Sequence, residues 1–439
     1  MINKRVCVVV LGDVGRSPRM QYHSLSFAKE GYDVDIVGYG GSQPIKELSE
    51  HPKVKIRYLP SCPDFQKYFP RLLGYILKVI WQSITLFLTL FFKRRSHHVI
   101  VQNPPAIPAL AVCWFYSVLM FANYVIDWHN YGHTILALTV GHEHKLVSIS
   151  EWFEGYFGKR ATANLCVTRA MKEDLEKKWG ILAVTLYDRP PAVFQPISVL
   201  ESHQLFASLA KQYPVFRAND SSISTVFTEL LSDGNAVWRN DRPGLIVSST
   251  SWTDDEDFSV LLSALEDYEQ VRCDEGCELP ALICVITGKG PLKGHYCRLI
   301  EEKTWKHVRI ITPWLEPEVY PHLLASANLG ICLHNSSSGL DLPMKIVDMF
   351  GCGLPVCAYN FPCLSELVHH NVNGWKFDDA AQLSHQLQTW FQGFPHSKSR
   401  QERDARFRKE LGTFQKLRWH ENWTFNALPL FALHSYVPK

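Results

Sequence analysis

No charge of either sign dominates this sequence: 45 Lys and Arg stand against 43 Asp and Glu, for a formal net charge of +2. Without a global basic field the chain is not read as a nucleic-acid binder, and any anionic ligand must be held by local groups. The Gly-x-Gly-x-x-Gly fingerprint of dinucleotide folds is missing. The first strand-to-helix turn reads Gly12-Asp13-Val14-Gly15-Arg16-Ser17-Pro18 instead, so no cofactor is expected. Paired cysteines at zinc-site spacing are missing too: Cys273 and Cys277 have no second pair, and Cys7, Cys166, Cys284 and Cys332 fall inside apolar runs. That usage points to buried, reduced thiols of a cytosolic compartment, with neither a disulfide framework nor a metal site. Nor does a secretory leader open the sequence, since Met1 to Arg5 lead straight into an apolar strand.

What is present is an alternation of apolar strands and helices over 439 residues, too many for one ordinary core, so two domains and a connector are expected. Apolar runs at 6–11, 34–37, 99–101, 124–126, 164–168 and 184–187 read as strands of a parallel sheet, with helices between them. They make a first domain over 1–190. Asp188-Arg189-Pro190-Pro191 breaks regular structure, and 191–242, polar with weak periodicity, reads as an irregular connector or insert. A second domain over 243–415 has strands at 245–249, 282–286, 308–311 and 329–333. The tract 416–439, with Trp419, Trp423 and Leu428, fits a helix packing back across both domains. The expected class is α/β, with two Rossmann-like domains.

Residues 71–95, RLLGYILKVIWQSITLFLTLFFKRR, are the most membrane-like stretch. About 20 apolar residues span a bilayer, yet Gln82, Ser83, Thr85 and Thr89 interrupt the run, and Lys67, Arg71 and Lys93-Arg94-Arg95 flank it. A helix lying in the interface, with cations among the headgroups, is favoured over a spanning one. A core helix is disfavoured because the run is apolar nearly all round. The uncharged stretch 104–126 starts at Pro104-Pro105 between two strands and reads as a buried strand–helix–strand unit.

The densest signal is late. NSSSGLDLPMKIVDMFGCGLPVCA, from Asn335 to Ala358, reads as a Gly-Ser loop, a helix opening near Leu342-Pro343, and a tight Gly353-Leu354-Pro355 turn into a strand. The amides of 336–339 would then precede the positive end of a helix, a ready phosphate site. Lys345 and Asp348 share one helix face. They form either an ordinary i,i+3 surface pair or a cation beside a diphosphate with a carboxylate near ribose hydroxyls. A glycan in this loop would obstruct it, so the sequons at Asn219, Asn335 and Asn422 are read as unused. Thr253-Asp254-Asp255-Glu256 reads as a capping box opening a helix to Tyr268, in preference to a metal-binding acidic cluster. Asp127 to His133 follows a strand's carboxyl end, where open α/β sheets place ligands, although His133 alone reads as structural. The hydroxyls of Ser249, Thr250 and Ser251 stand at another such end as candidate phosphate contacts.

Pro343-x-Lys345-x-x-Asp348 followed by Gly-x-Pro-Val resembles the donor-site helix of GT-B glycosyltransferases. LGDVGRSPRMQYHSLS (11–26), QNPP (102–105), IDWHNYGH (126–133), SSTSWTDDEDF (248–258), VITGKGPL (285–292) and the 336–358 run extend the likeness over roughly 5–425. Together they resemble the inverting β-mannosyltransferases of dolichol-linked N-glycan assembly.

The resemblance implies a GT-B fold, two Rossmann-like domains with parallel sheets facing across a cleft. It implies GDP-mannose as donor, dolichol-linked chitobiose as acceptor, and catalytic domains on the cytosolic face of the endoplasmic reticulum membrane, in company with other early dolichol-pathway glycosyltransferases. Donor contacts are expected from Ser249, Thr250, Gly288, Lys289, Gly290, Ser337, Ser338, Gly339, Asp341, Lys345 and Asp348. The first domain is expected to hold the acceptor through Arg16, Arg19 and Asn130. Inversion requires a base on the acceptor hydroxyl, Asp13 or His129, with Asp13 preferred. Many GT-B enzymes use Arg and Lys where this chain has Ser249 to Ser251, which shifts weight to Lys289 and Lys345. Relatives often carry an N-terminal membrane anchor, so attachment here is expected to come from elsewhere or to be weak.

Overall fold

The computed structural model describes residues 4–218, 223–273 and 278–432; Cys277 and the Asn219 sequon lie outside them. The chain forms two compact units, one combining Met1–Asp188 with Trp419–Lys439, the other Arg189–Arg418.

The first unit is built on β1 (Arg5–Asp13), β2 (Asp33–Tyr39), β3 (Val54–Tyr58), β4 (His98–Asn103), β5 (Asn123–Trp128), β6 (Ala163–Cys166) and β7 (Val184–Thr185). The strands pair in parallel in the order β3-β2-β1-β4-β5-β6-β7. The order reverses between β1 and β4, so the loops leaving their carboxyl ends turn opposite ways and open a crevice there. Val6 to Val10 are buried because helices cover both faces. β3 had no counterpart in the sequence reading: VKIRY is half-exposed and lacks the solid apolar run of a central strand.

Helix Pro18–Lys29 is buried nearly all round, although its composition is polar. The reason is the end of the chain. Helices Trp419–Asn426 and Leu428–Ala432 close over it, with the Trp423 indole N–H donating to His23 Nδ1 (2.8 Å). Phe27 packs edge-on against Trp423 and Phe431, at ring distances of 4.8 and 4.7 Å.

Helix Arg71–Phe92 is long and apolar enough to cross a membrane by length and composition. Leu86 and Leu90 are buried, while Ile76, Ile80, Ile84 and Leu88 form an exposed stripe at four-residue spacing. It packs against helix Ala109–Met120, which buries Leu110, Cys113 and Tyr116 and exposes Phe115, Val118 and Leu119. An apolar cavity of about 330 Å³ lies between the two helices.

In the second unit the connector is more ordered than its composition suggests. It holds helix Val199–Leu209, opened by a Ser198–Glu201 capping box, and a hairpin of β8 (Thr228–Leu230) and β9 (Ala236–Trp238). Phe206, Phe216 and Phe227 pack together beneath them. The main sheet contains β10 (Gly244–Ser249), β11 (Leu282–Thr287), β12 (Val308–Ile311), β13 (Leu329–Cys332), β14 (Val356–Tyr359) and β15 (Gly374–Phe377). All pair in parallel, in the order β12-β11-β10-β13-β14-β15. This is the same doubly wound order, reversing between β10 and β13.

Candidate active site

Three loops converge at the carboxyl ends of β10, β11 and β13. The loop after β13 leads into helix Met344–Gly351, whose N-cap is Pro343. Pro343 offers no side-chain cap and the first turn carries no acid, so the positive end of this helix is suited to an external anion. Lys345, in that first turn, is ion-paired with Glu256, whose side chain is 1% exposed. Glu256 also accepts hydrogen bonds from Thr250 Oγ1 (2.6 Å) and the Ser251 amide (3.0 Å). One buried carboxylate thus fastens the loop after β10 to the helix tip.

His334, two residues beyond β13, stands between Asp255 and Asp341, 3.2 Å from each. Burial opposes its charge, but the two carboxylates raise it to about 9, making it a cation at neutral pH. The His334 hydrogen bond in turn helps hold the Asp255 carboxyl down to about 2. The Ser336 hydroxyl donates to the other Asp341 oxygen, and the turn closes at Gly339, whose φ of +73° favours glycine. Lys289 lies over the Trp314 ring, 3.8 Å from its centroid. A Cβ on Gly288 would meet the Thr250 carbonyl oxygen at 1.8 Å, and one on Gly290 the Ser251 carbonyl oxygen at 1.7 Å.

The first unit has its own polar network around Asp127, the penultimate residue of β5. Arg19 forks onto it through Nε (2.8 Å) and Nη2 (2.9 Å), and spends Nη1 on Asp188 (2.7 Å) and the Leu186 carbonyl (2.9 Å). His23 Nε2 (3.1 Å) and His129 Nε2 (2.7 Å) reach the same Asp127 oxygen. Burial opposes Asp127's ionisation, yet Arg19, His129 and His23 hold it well below the usual carboxylate range. Burial lowers His23; its Nδ1 accepts from Trp423, so Nε2 carries the proton facing Asp127. His129 is the part-exposed member. With Nε2–H on Asp127, its Nδ1 is left with the lone pair, the arrangement in which a carboxylate orients a basic imidazole. Asp13 accepts the Gly15 amide (2.9 Å) on one oxygen and the Ser42 amide (2.8 Å) on the other.

Residues 236–406 match the family described as Glycosyl transferases group 1. The chain is 48% identical to chitobiosyldiphosphodolichol beta-mannosyltransferase of Homo sapiens over 433 residues, covering 97% of this chain and 92% of the relative. It belongs to this β-mannosyltransferase family. A second relative, UDP-glycosyltransferase TURAN of Arabidopsis thaliana, is 42% identical over 98% of this chain and 97% of its own. Among solved structures, Anabaena HepE in complex with UDP superposes with a TM-score of 0.60 at 14% identity, over 98% of this chain and 99% of that one. The fold is GT-B.

For this member of the β-mannosyltransferase family, the structure gathers Ser337, Ser338, Gly339, Asp341 and Lys345 around one helix tip, with Asp348 a turn further along. Other expected site residues have partners within the chain. Arg19 is buried, and its guanidinium is bonded to Asp127, Asp188 and the Leu186 carbonyl, which braces the first unit. Arg16 beside it is exposed. The Asn130 side chain accepts the Tyr131 amide and its carbonyl accepts from Asn103. Thr250 spends its hydroxyl on Glu256 and the Trp252 amide, and Ser249 accepts from the Tyr320 hydroxyl (3.0 Å). Gly288 and Gly290 are required by close approach to the 250–251 backbone, a constraint independent of any nucleotide. The capping box is not formed: the helix starts at Phe258, with Asp257 accepting the Ser259 amide, and Glu256 turns away to Lys345. Glu256 and His334 were not singled out as site residues. Glu256 lay in a run that capping explained equally well, and His334 was a lone histidine.

Proposed function

We propose that the chain transfers the first mannose from GDP-mannose, in β-1,4 linkage and with inversion, to GlcNAc2-diphosphodolichol at the cytosolic face of the endoplasmic reticulum membrane. The observation that carries the donor half is the tip of helix Met344–Gly351, which Pro343 does not cap and whose first turn carries no acid, flanked by Lys345 and a cationic His334. Such a tip stabilises a departing diphosphate by fixed dipoles and charges. Asp341 and Asp348 are the carboxylates placed for sugar and ribose hydroxyls, and Lys289 and Ser337 to Gly339 border the same loops. On the acceptor side, the base takes the proton from the attacking hydroxyl as its oxygen closes in line on the anomeric carbon and GDP leaves. Hydrogen bonding favours His129 over Asp13: Asp13's oxygens already accept two amides, whereas His129 is oriented by Asp127. Arg16 and Asn130 remain the acceptor-side candidates. The exposed apolar stripe of helix Arg71–Phe92 supports attachment by lying in the interface.

Purified protein with radiolabelled GDP-mannose and a phytanyl-linked chitobiose tests the reading; transfer from GDP-mannose but not UDP-glucose is expected. A UDP-sugar donor is the second reading, favoured by the name of the 42% identical relative, a UDP-glycosyltransferase. Transfer from UDP-glucose alone would establish it.

A further inference from the structure

At the opposite end of the second unit's sheet lies a cavity of about 560 Å³ that the reaction above does not use. It opens beside Pro243, Leu282 and His307, at the amino ends of β10, β11 and β12. Strands of this length, at about 3.3 Å per residue, set it roughly 20 Å from the carboxyl-end loops. Its volume is that of a small-ligand site.

The wall is cationic. Among the described residues, Arg217, Arg242, Arg272, Lys306 and Arg309 line it against Asp241 and Glu278, and Asp241 is already paired with Arg239 at 3.0 Å. Among the described residues, Arg242, Arg272, Lys306 and Arg309 enter no salt bridge. The Nε–H groups of Arg242 and Arg272 are buried without an acceptor, a costly state for a guanidinium unless a ligand supplies one. Arg242 is held over the Trp238 and Phe394 rings (5.4 and 5.0 Å) with Nη1 on the Arg239 carbonyl (2.6 Å), so its position is built by packing, without an acid. Burial and the neighbouring Arg400 lower it to about 10. Glu269 beside the cavity directs its carboxylate to the amides of Lys306, His307 and Val308 and forms no ion pair with these cations.

We propose that this cavity binds a small phosphate-bearing polyanion, at a site separate from the sugar-nucleotide loops. Guanidinium forks match phosphate oxygens in geometry, and the excess of positive charge calls for more than one negative charge on the ligand. Arg217 and Arg242 come from the connector, whereas Arg272, Lys306 and Arg309 come from the sheet and its helix. The bound anion therefore clamps the connector to the sheet.

The test is calorimetric titration of the full-length protein with inorganic pyrophosphate, in Lys345→Gln and in Lys345→Gln carrying the double variant Lys306→Glu/Arg309→Glu. The latter two side chains are exposed, so their exchange leaves the ligand-free thermal midpoint in place. Lys345→Gln is expected to keep a saturable site and the double variant to bind at least about tenfold more weakly. Loss of binding in Lys345→Gln, equal binding in the double variant, or capture of an acidic peptide with no pyrophosphate binding would each overturn the proposal. Competition by phosphatidic acid vesicles would place the phosphate on a lipid, and its absence on a soluble ligand; both outcomes retain the site.

Discussion

Lys345 and Glu256, 89 residues apart in sequence, form an ion pair in which the carboxylate is buried and the ammonium is partly open. Glu256→Ala removes the acceptor of Lys345, Thr250 and Ser251 together. It is expected to cost about 2 kcal/mol in urea unfolding and to raise the KM for donor by about tenfold, because the helix-tip lysine loses its mooring. Glu256→Gln, which keeps the hydroxyl and amide partners, should recover most of the stability and less of the KM.

His334 makes stability depend on pH in a defined window. Its folded value of about 9 lies above the ordinary imidazole value of 6.5. Its contribution is therefore complete below about pH 6.5 and is lost as pH rises through about 9, to an extent of about 3 kcal/mol. Denaturant unfolding from pH 6 to 10 should show this decline in the parent, and His334→Gln should flatten it.

Arg19→Met leaves Asp127 and Asp188 without their guanidinium. Destabilisation of about 3–5 kcal/mol is expected from denaturant midpoints, with Arg19→Lys intermediate because one ammonium cannot reproduce the fork.

The two base candidates separate in single-turnover assays. His129→Ala is expected to lower the transfer rate by about 10² to 10⁴ with donor affinity retained. Asp13→Asn should act mainly on stability, since its two amide partners are local. The opposite ranking would return the role to Asp13.

The exposed stripe on helix Arg71–Phe92 is testable without the reaction. Ile80→Glu/Ile84→Glu/Leu88→Glu should shift thermal unfolding little, because these side chains are already exposed. Cosedimentation with anionic vesicles should fall by at least about tenfold.

Both parallel sheets were legible wherever a strand is buried on two faces, since an unbroken β-branched run such as Val6 to Val10 has no cheaper environment. β3 and β15 escaped notice because neither is an unbroken β-branched run: one is half-exposed and the other reads Gly374-Trp375-Lys376-Phe377. The helix tip could be read from Pro343 and the small residues before it. Its electrostatics could not: Glu256 meets Lys345, and Asp255 meets His334, only after β10 and β13 pair. The burial of Arg19 could not be read for a related reason, as the side chains that cover its helix arrive nearly 400 residues later.

That late arrival sets an order of assembly. Residues Arg189–Arg418 form a contiguous stretch whose unit needs nothing made later. The earlier half, by contrast, must wait with the His23 side of its first helix uncovered until Trp419 and Trp423 have left the exit tunnel. A premature stop shortly before Trp419 would thus yield a finished later unit tethered to an unfinished earlier one, a species that chaperones and proteases would meet first.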